Sequence, residues 1–354
     1  MWSWNQDEGY MRAFITGGGG FVGSATARAL IARGDETLSV DTMSGATDPK
    51  ALAGLPKSGR FAAVKADAGD RVMMSALLRE YRPDCVVHMA GPKPDMGAGE
   101  AARARYEAML GLLEAVRTYM SSAHAKPDFK LVVASSDRVF RPLGAADAAF
   151  DDFTPYDSAT PDGAAEASCA LLAKAWGRSF NIPVVMTHSP QVYGPWQCKT
   201  ALLPGVIRQA LSGGPIALDD GETVRDWLHV ADLANGLVAA AARGAPGATY
   251  LFGARSERRV LDVVLAICTL LDAKRPRADG QSYAAAIQSS EDLVGVGLRF
   301  GADPTHAEQE LNWRAQYGLH LGLSELVDWV LSQSGAPARK PIKPELQPAA
   351  QAAE

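Results

Sequence analysis

The chain has 354 residues, of which 47% are hydrophobic and 21% charged, a composition that excludes a disordered, collagen-like or coiled-coil protein. At this length about three quarters of the unfolded surface can be buried, so a core forms without disulfide or metal staples. The net charge of −5 and isoelectric point near 5.8 argue against a broad basic footprint for nucleic acid. Cys85, Cys169, Cys198 and Cys268 are scattered, with no C-x-x-C pair, which fits a reducing compartment and speaks against a zinc site. Met1–Tyr10 lacks an apolar signal core, and no run of 18 apolar residues is present, so a cytoplasmic chain without a membrane span is expected.

The first two thirds alternate short β-branched runs with longer helical stretches. Strands are expected at Arg12–Thr16, Thr37–Val40, Phe61–Lys65, Cys85–Met89, Leu131–Ala134 and Val184–Thr187. Helices are expected at Phe21–Arg33, Asp70–Tyr81, Ala101–Met120, Gly163–Phe180 and Ala231–Arg243. That alternation implies parallel βαβ units: an α/β fold with a Rossmann doubly wound sheet, covered on both faces. From about Ser189 the alternation loosens into Pro- and Gly-rich segments, read as a smaller C-terminal α/β substrate lobe. Helices near Leu261–Asp272, Pro304–Leu311 and Leu323–Leu331 close that lobe. The expected division is a Rossmann domain over 11–188, with part of 220–250 returning to it, and a lobe over 189–331. An N-terminal extension covers 1–10, and a disordered tail covers 334–354.

The first strand runs into Gly17-Gly18-Gly19-Gly20-Phe21-Val22-Gly23 and then an Ala-rich helix. Glycines spaced as Gly17, Gly20 and Gly23 allow a tight turn and close approach of backbone to a pyrophosphate at the helix N-terminus. Asp41 ends the next strand, where a carboxylate hydrogen-bonds a ribose and repels a 2′-phosphate, favouring NAD over NADP. The competing reading is a glycine-rich turn with no ligand.

With these motifs in order, the sequence resembles the extended short-chain dehydrogenase/reductases, the NAD-dependent nucleotide-sugar epimerase/dehydratase family, over about residues 11–331. Thr16–Gly23 resembles its T-G-x-x-G-x-x-G turn, and Asp67-Ala68 the acidic pair that touches adenine. His88-Met89-Ala90-Gly91-Pro92-Lys93 is similar to the H-x-A-[AG] motif, Ser135–Phe140 to S-[ST]-x-x-V-Y, and Val192–Pro195 to V-Y-G-P. Gly221 and Arg225–Asp232 resemble G-x-x-x-R-D-[FYW]-[IVL]-H-V-x-D. The resemblance implies NAD held by Gly17, Gly20, Phe21, Val22, Gly23, Asp41, Asp67, Ala68, Met89, Ala90, Gly91, Lys93 and Ser135. It implies a nucleotide-linked sugar whose diphosphate is clamped by Arg225 and Arg299, no metal, and a homodimer through the helices at Ala101–Met120 and Gly163–Phe180. Arg225 could instead pair with Asp226 or a neighbour, and His88 and His229 read as structural.

The family's Tyr-x-x-x-Lys pair is absent. Counting back from Ile182-Pro183 puts the tyrosine place on Asp162 and the lysine place on Glu166. Asp162 could also be an N-cap beside Pro161. The family's helix asparagine falls near Arg105, and the pocket positions before V-Y-G-P are His188 and Gln191, both expected at the substrate. Ser136 stands at the substrate-orienting Ser/Thr. Asp137 resembles the general acid of the 4,6-dehydratase T-D-E segment, whose glutamate is Arg138 here. The reading is an atypical epimerase, dehydratase or lyase working by proton transfer, with Ser136 orienting substrate, Asp137 as acid and Glu166 or Asp162 as base. The alternatives are a catalytically inactive NAD-binding regulatory or partner subunit, and a redox enzyme whose tyrosine, Tyr156, reaches in from an insertion.

Overall fold

The computed structural model describes residues 9–44, 49–92, 96–218, 221–289 and 298–333. Its N-terminal two thirds runs β1 (Arg12–Thr16), α1 (Phe21–Arg33), β2 (Glu36–Asp41), β3 (Phe61–Lys65), α2 (Arg71–Tyr81), β4 (Cys85–His88), α3 (Ala98–Met120), β5 (Lys130–Ser136), α4 (Pro161–Phe180) and β6 (Val184–Ser189). There follow β7 (Gln191–Tyr193), α5 (Leu202–Ser212), β8 (Ile216–Leu218), β9 (Val224–His229), α6 (Val230–Arg243) and β10 (Thr249–Leu251). The chain closes through β11 (Glu257–Arg259), α7 (Val260–Lys274), β12 (Ile287–Ser289), β13 (Arg299–Phe300), α8 (Thr305–Glu310) and α9 (Leu319–Gln333).

The central sheet has seven strands in the order β10-β6-β5-β4-β1-β2-β3. Every pairing in it is parallel. This is the doubly wound Rossmann arrangement, and its switch point lies between β1 and β4, where ligands bind beyond the strand C-termini. The strands are apolar throughout because both faces are covered. Phe14, Val86, Leu131 and Met186 pack against Met109, Leu112, Leu113 and Ala170 of α3 and α4 on one face. Ala13, Ile15, Val87 and Val185 pack against Leu30 of α1 and Leu233 and Leu237 of α6 on the other. Gly111 lets α3 approach the loop before α2, since a Cβ there would sit 2.8 Å from Gly69 Cα.

A second core joins α5, α7 and α9 through Ile207, Val264, Ile267, Leu326 and Val330, with Trp227 of β9 at its centre. The strand β9 is a hub: β11 runs antiparallel to it, while β7 and β13 run parallel.

The expected strands and helices of the first 190 residues are present, with shifted ends. The strand expected to reach Met89 stops at His88, while β5 runs on through Ser135 and Ser136. The loosened stretch after Ser189 contains the eleven-residue helix α5, which the Pro- and Gly-rich reading missed. The expected tail over 334–354, residues 1–8 of the N-terminal extension, and Lys93 lie outside the described residues.

Candidate active site

The glycine turn links β1 to α1. Gly17 has φ +73°, and a Cβ on it would lie 2.7 Å from the Ala90 nitrogen and the Met89 oxygen, so only glycine lets β1 and β4 converge here. A Cβ on Gly23 would run into the Gly17 carbonyl. Gly20 caps α1 with no side-chain hydrogen bond, and the helix's first turn carries no acidic residue. The α1 N-terminus therefore presents backbone N–H groups and the positive dipole end with no acidic residue in its own first turn.

A cavity opens in front of this turn, lined by Gly17, Gly20, Asp41, Asp67, Ala68 and Met89, among others. Ala90 and Gly91 also line it, as do Ala104 and Ala108 of α3. Asp41 is held in place: Oδ2 accepts from the Gly19 N–H at 3.0 Å and Oδ1 from the Met43 N–H at 2.8 Å. Asp67 accepts from the Gly69 N–H at 2.8 Å. Asp41 and Asp67 thus face one space with the uncapped helix end, a donor set that fits an adenosine diphosphate with free ribose hydroxyls. Phe21 and Val22 open α1 and pack towards Val230 and Ala234 of α6. His88 is internal: its Nδ1 meets Thr16 Oγ1 at 2.7 Å, and burial, aided by Arg105, pushes its pKa down to about 4.

A second group of the expected residues is built at the C-terminus of β5, the sheet neighbour of β4. Asp137 opens a 3-10 turn directly after the strand and is 5% exposed. Its Oδ2 and the Ser136 hydroxyl are buried polar atoms without a hydrogen-bond partner among the described residues. Burial raises the Asp137 pKa to about 7, against the pull of the Arg225 and Arg138 guanidinium groups. A carboxyl group in that range can exchange a proton at neutral pH.

Glu166, one turn into α4, is 7% exposed. Its Oε1 accepts from the Ser135 hydroxyl at 2.8 Å and the Ser136 N–H at 2.5 Å, and its Oε2 lies 3.8 Å from Arg105 of α3. Asp162 bridges Arg105 at 3.0 Å and Arg138 at 2.9 Å. It does not cap α4; Thr160 does, its hydroxyl accepting from the Gly163 N–H at 3.1 Å. Arg105 was seen in the sequence only where the family has asparagine. Its pairing with Asp162, 57 residues away, has no local signal.

The remaining expected residues divide. Arg225 projects from β9, its guanidinium 4.7 Å above the Phe300 ring, while Asp226 accepts from Ala254 and Ser256 backbone N–H groups at 2.9 and 2.8 Å. An Arg225–Asp226 pair is therefore not formed. Arg299 is engaged: it makes two bonds to Glu257, at 2.5 and 2.8 Å, and one to the Asp147 carbonyl at 2.7 Å. His188 is buried behind Ser136, with Nε2 2.9 Å from the Tyr156 hydroxyl and Nδ1 3.3 Å from the Ser136 carbonyl. Burial lowers its pKa to about 3, so the ring is neutral. Nδ1 then donates to the carbonyl, and Nε2 accepts from Tyr156. That bond and the Phe140 ring, 5.7 Å away, tie Tyr156 into this network, and burial raises its pKa further above 10. Gln191, on β7, reaches only its neighbour's carbonyl, at 3.5 Å.

A family model described as GDP-mannose 4,6 dehydratase matches residues 14–326. A dTDP-glucose 4,6-dehydratase from Xanthomonas campestris pv. campestris is 34% identical over 328 residues, covering 90% of this chain and 92% of that protein. Among solved structures, a dTDP-glucose 4,6-dehydratase from Bacillus anthracis in complex with NAD superposes with a TM-score of 0.80 at 25% identity, covering 92% of this chain and 98% of that one. A dTDP-glucose 4,6-dehydratase from Streptomyces venezuelae, also with NAD bound, gives a TM-score of 0.79 at 27% identity, with the same coverage of both chains.

Proposed function

The chain belongs to the GDP-mannose 4,6 dehydratase family, within the extended short-chain dehydrogenase/reductases, and from that premise we propose that it binds NAD and a nucleoside-diphosphate sugar and eliminates water from the sugar. The relatives' named substrate makes dTDP-glucose the first candidate. The observation that carries the reading is the buried Asp137 carboxyl, whose Oδ2 has no partner among the described residues, next in sequence to the unpartnered Ser136 hydroxyl. These two groups have been taken out of water at a cost of roughly 1–3 kcal/mol each, which is offset only when a ligand supplies their partners.

NAD, which the glycine turn, Asp41, Asp67 and Met89–Gly91 would hold, would supply a hydride acceptor that gives the hydride back once water has left, so that the net change is the loss of one water. The chain's own groups do the rest. Ser136 hydrogen-bonds the reacting sugar oxygen. Asp137, with a pKa near neutrality and so partly protonated there, delivers its proton to the leaving hydroxyl. Glu166 is the better placed base of the two carboxylates, because it is seated on Ser135 and Ser136, next to Asp137 in the chain, while Asp162 is held between two guanidinium groups. Arg225 binds the diphosphate from the face opposite Phe300; Arg299 joins only if Glu257 releases it. Homodimerisation through α3 and α4 is part of the proposal, with Tyr106 and Leu171 exposed on them at 44% and 54%. No helix among the described residues is long and apolar enough to cross a membrane.

A second reading, an inactive NAD-binding regulatory or partner subunit, is favoured by one observation. Carboxylates bound to arginine stand at positions 162 and 166, where the family resemblance expects tyrosine and lysine. One experiment separates the two. The protein is incubated with NAD and dTDP-glucose, and the sugar nucleotide is followed by mass spectrometry. Loss of one water, abolished in Asp137→Asn with NAD affinity retained, is the expected result. Binding of both ligands with the sugar unchanged would favour the subunit reading.

A further inference from the structure

A second cavity, of about 690 Å³, lies away from the glycine turn, against the last strand of the central sheet. Its walls are the C-terminal half of α4 with Lys174 and Arg178, the segments entering β6 and β10, and Asp152 and His306. Ile182, Val184 and Met186 border it but belong to the core, at 4%, 3% and 1% exposure. The accessible apolar surface is at the rim, where Phe153 is 87% exposed. The volume falls within the range of small-molecule sites.

The charge distribution is one-sided. Lys174 and Arg178 are one helical turn apart, and like charges at that spacing destabilise a helix. Neither makes an ion pair among the described residues; Lys174 instead rests 4.9 Å from the Tyr156 ring centre. Burial and the nearby Arg178 lower the Lys174 pKa, against the pull of the Asp152 carboxylate. Asp152 is the single carboxylate in the lining, and it is committed to His306 at 3.0 Å. His306 is in turn fixed by Glu310 at 3.2 Å.

We propose that this cleft is a second ligand site, taking a small molecule with an oxyanion group on an apolar body: the anion between Lys174 and Arg178, the body against the exposed ring of Phe153. It stands apart from the sugar-nucleotide site and does not depend on the reading given for it. Isothermal titration of the full chain with phenyl phosphate, benzoate and uncharged benzyl alcohol tests the site. Phenyl phosphate or benzoate should bind once per chain, benzyl alcohol should not, and saturating NAD should leave binding unchanged. Lys174→Gln and Arg178→Gln should each weaken it at least tenfold. Hydrogen exchange on the unmutated protein, free of any folding defect in the variants, should show slowed exchange at the 247–249 amides with the bound anion. No heat from either anion, undiminished binding in both variants, or displacement by NAD would each overturn the site.

Discussion

Asp137 faces opposite demands from chemistry and stability. Its pKa in the folded chain, about 7, lies above the value near 3.9 of an unfolded aspartate. Between those values the folded chain binds the extra proton, so the contribution of this group is fully present below about pH 4 and is lost as pH rises through about 7. Asp137→Asn removes that penalty. Its melting temperature at pH 8 should exceed that of the parent, by differential scanning calorimetry, while turnover falls by about 10²–10⁴. In the parent, the acid-dependent step should slow as pH rises through about 7; a rate flat from pH 5 to 9 would remove Asp137 as the acid. Glu166→Ala leaves the Ser136 N–H and Ser135 hydroxyl unpaired and should cost about 1–3 kcal/mol in urea unfolding. At this scale the resemblance of Ser135–Phe140 to the family segment singled out Ser136 and Asp137, which lie at the end of β5 and directly after it. The Arg105–Asp162 pair and the commitment of Arg299 to Glu257 stayed hidden, because both join residues more than 40 positions apart.

Among the elements, α1 and α4 carry the local signals most openly. Thr160 caps α4 with Pro161 at its first position, so Thr160→Ala should lower stability by about 1 kcal/mol while leaving Asp137 in place. Gly23→Ala places a methyl group on the Gly17 carbonyl and should abolish NAD binding in a titration, whereas Gly54→Ala, with open space around it, should not. A Gly23→Ala protein that binds NAD normally would show that the turn is not the phosphate cradle. The glycine spacing made this element legible, since few alternatives satisfy it. Helix α5 was not legible because Pro204-Gly205 reads as a breaker. In the fold Pro204 falls in the first turn, where its missing N–H costs nothing.

For the whole molecule, the regular strand–helix alternation made the sheet readable as far as β6. The strands after it are three residues long or pair with distant partners, and short segments carry too few positions for a period to show. Light scattering of the purified protein should give twice the chain mass if α3 and α4 associate; placing charge at both Tyr106 and Leu171 should return it to one chain mass with the fold intact. A chain ended after Arg243 lacks β10 and the α8 contacts, so it should lose cooperative urea unfolding even though six of the seven sheet strands remain.

That last strand also sets a clock. In the growing chain β6 is complete at Ser189, yet its outer partner begins at Thr249, about sixty residues later. At 5–20 residues per second, on the order of 3–12 s pass with that edge bare on the ribosome. An unpaired parallel edge is a template for stray pairing. The nascent protein is therefore most open to misassembly, and to capture by a chaperone, in that interval, while the segment that closes the sheet is still being translated.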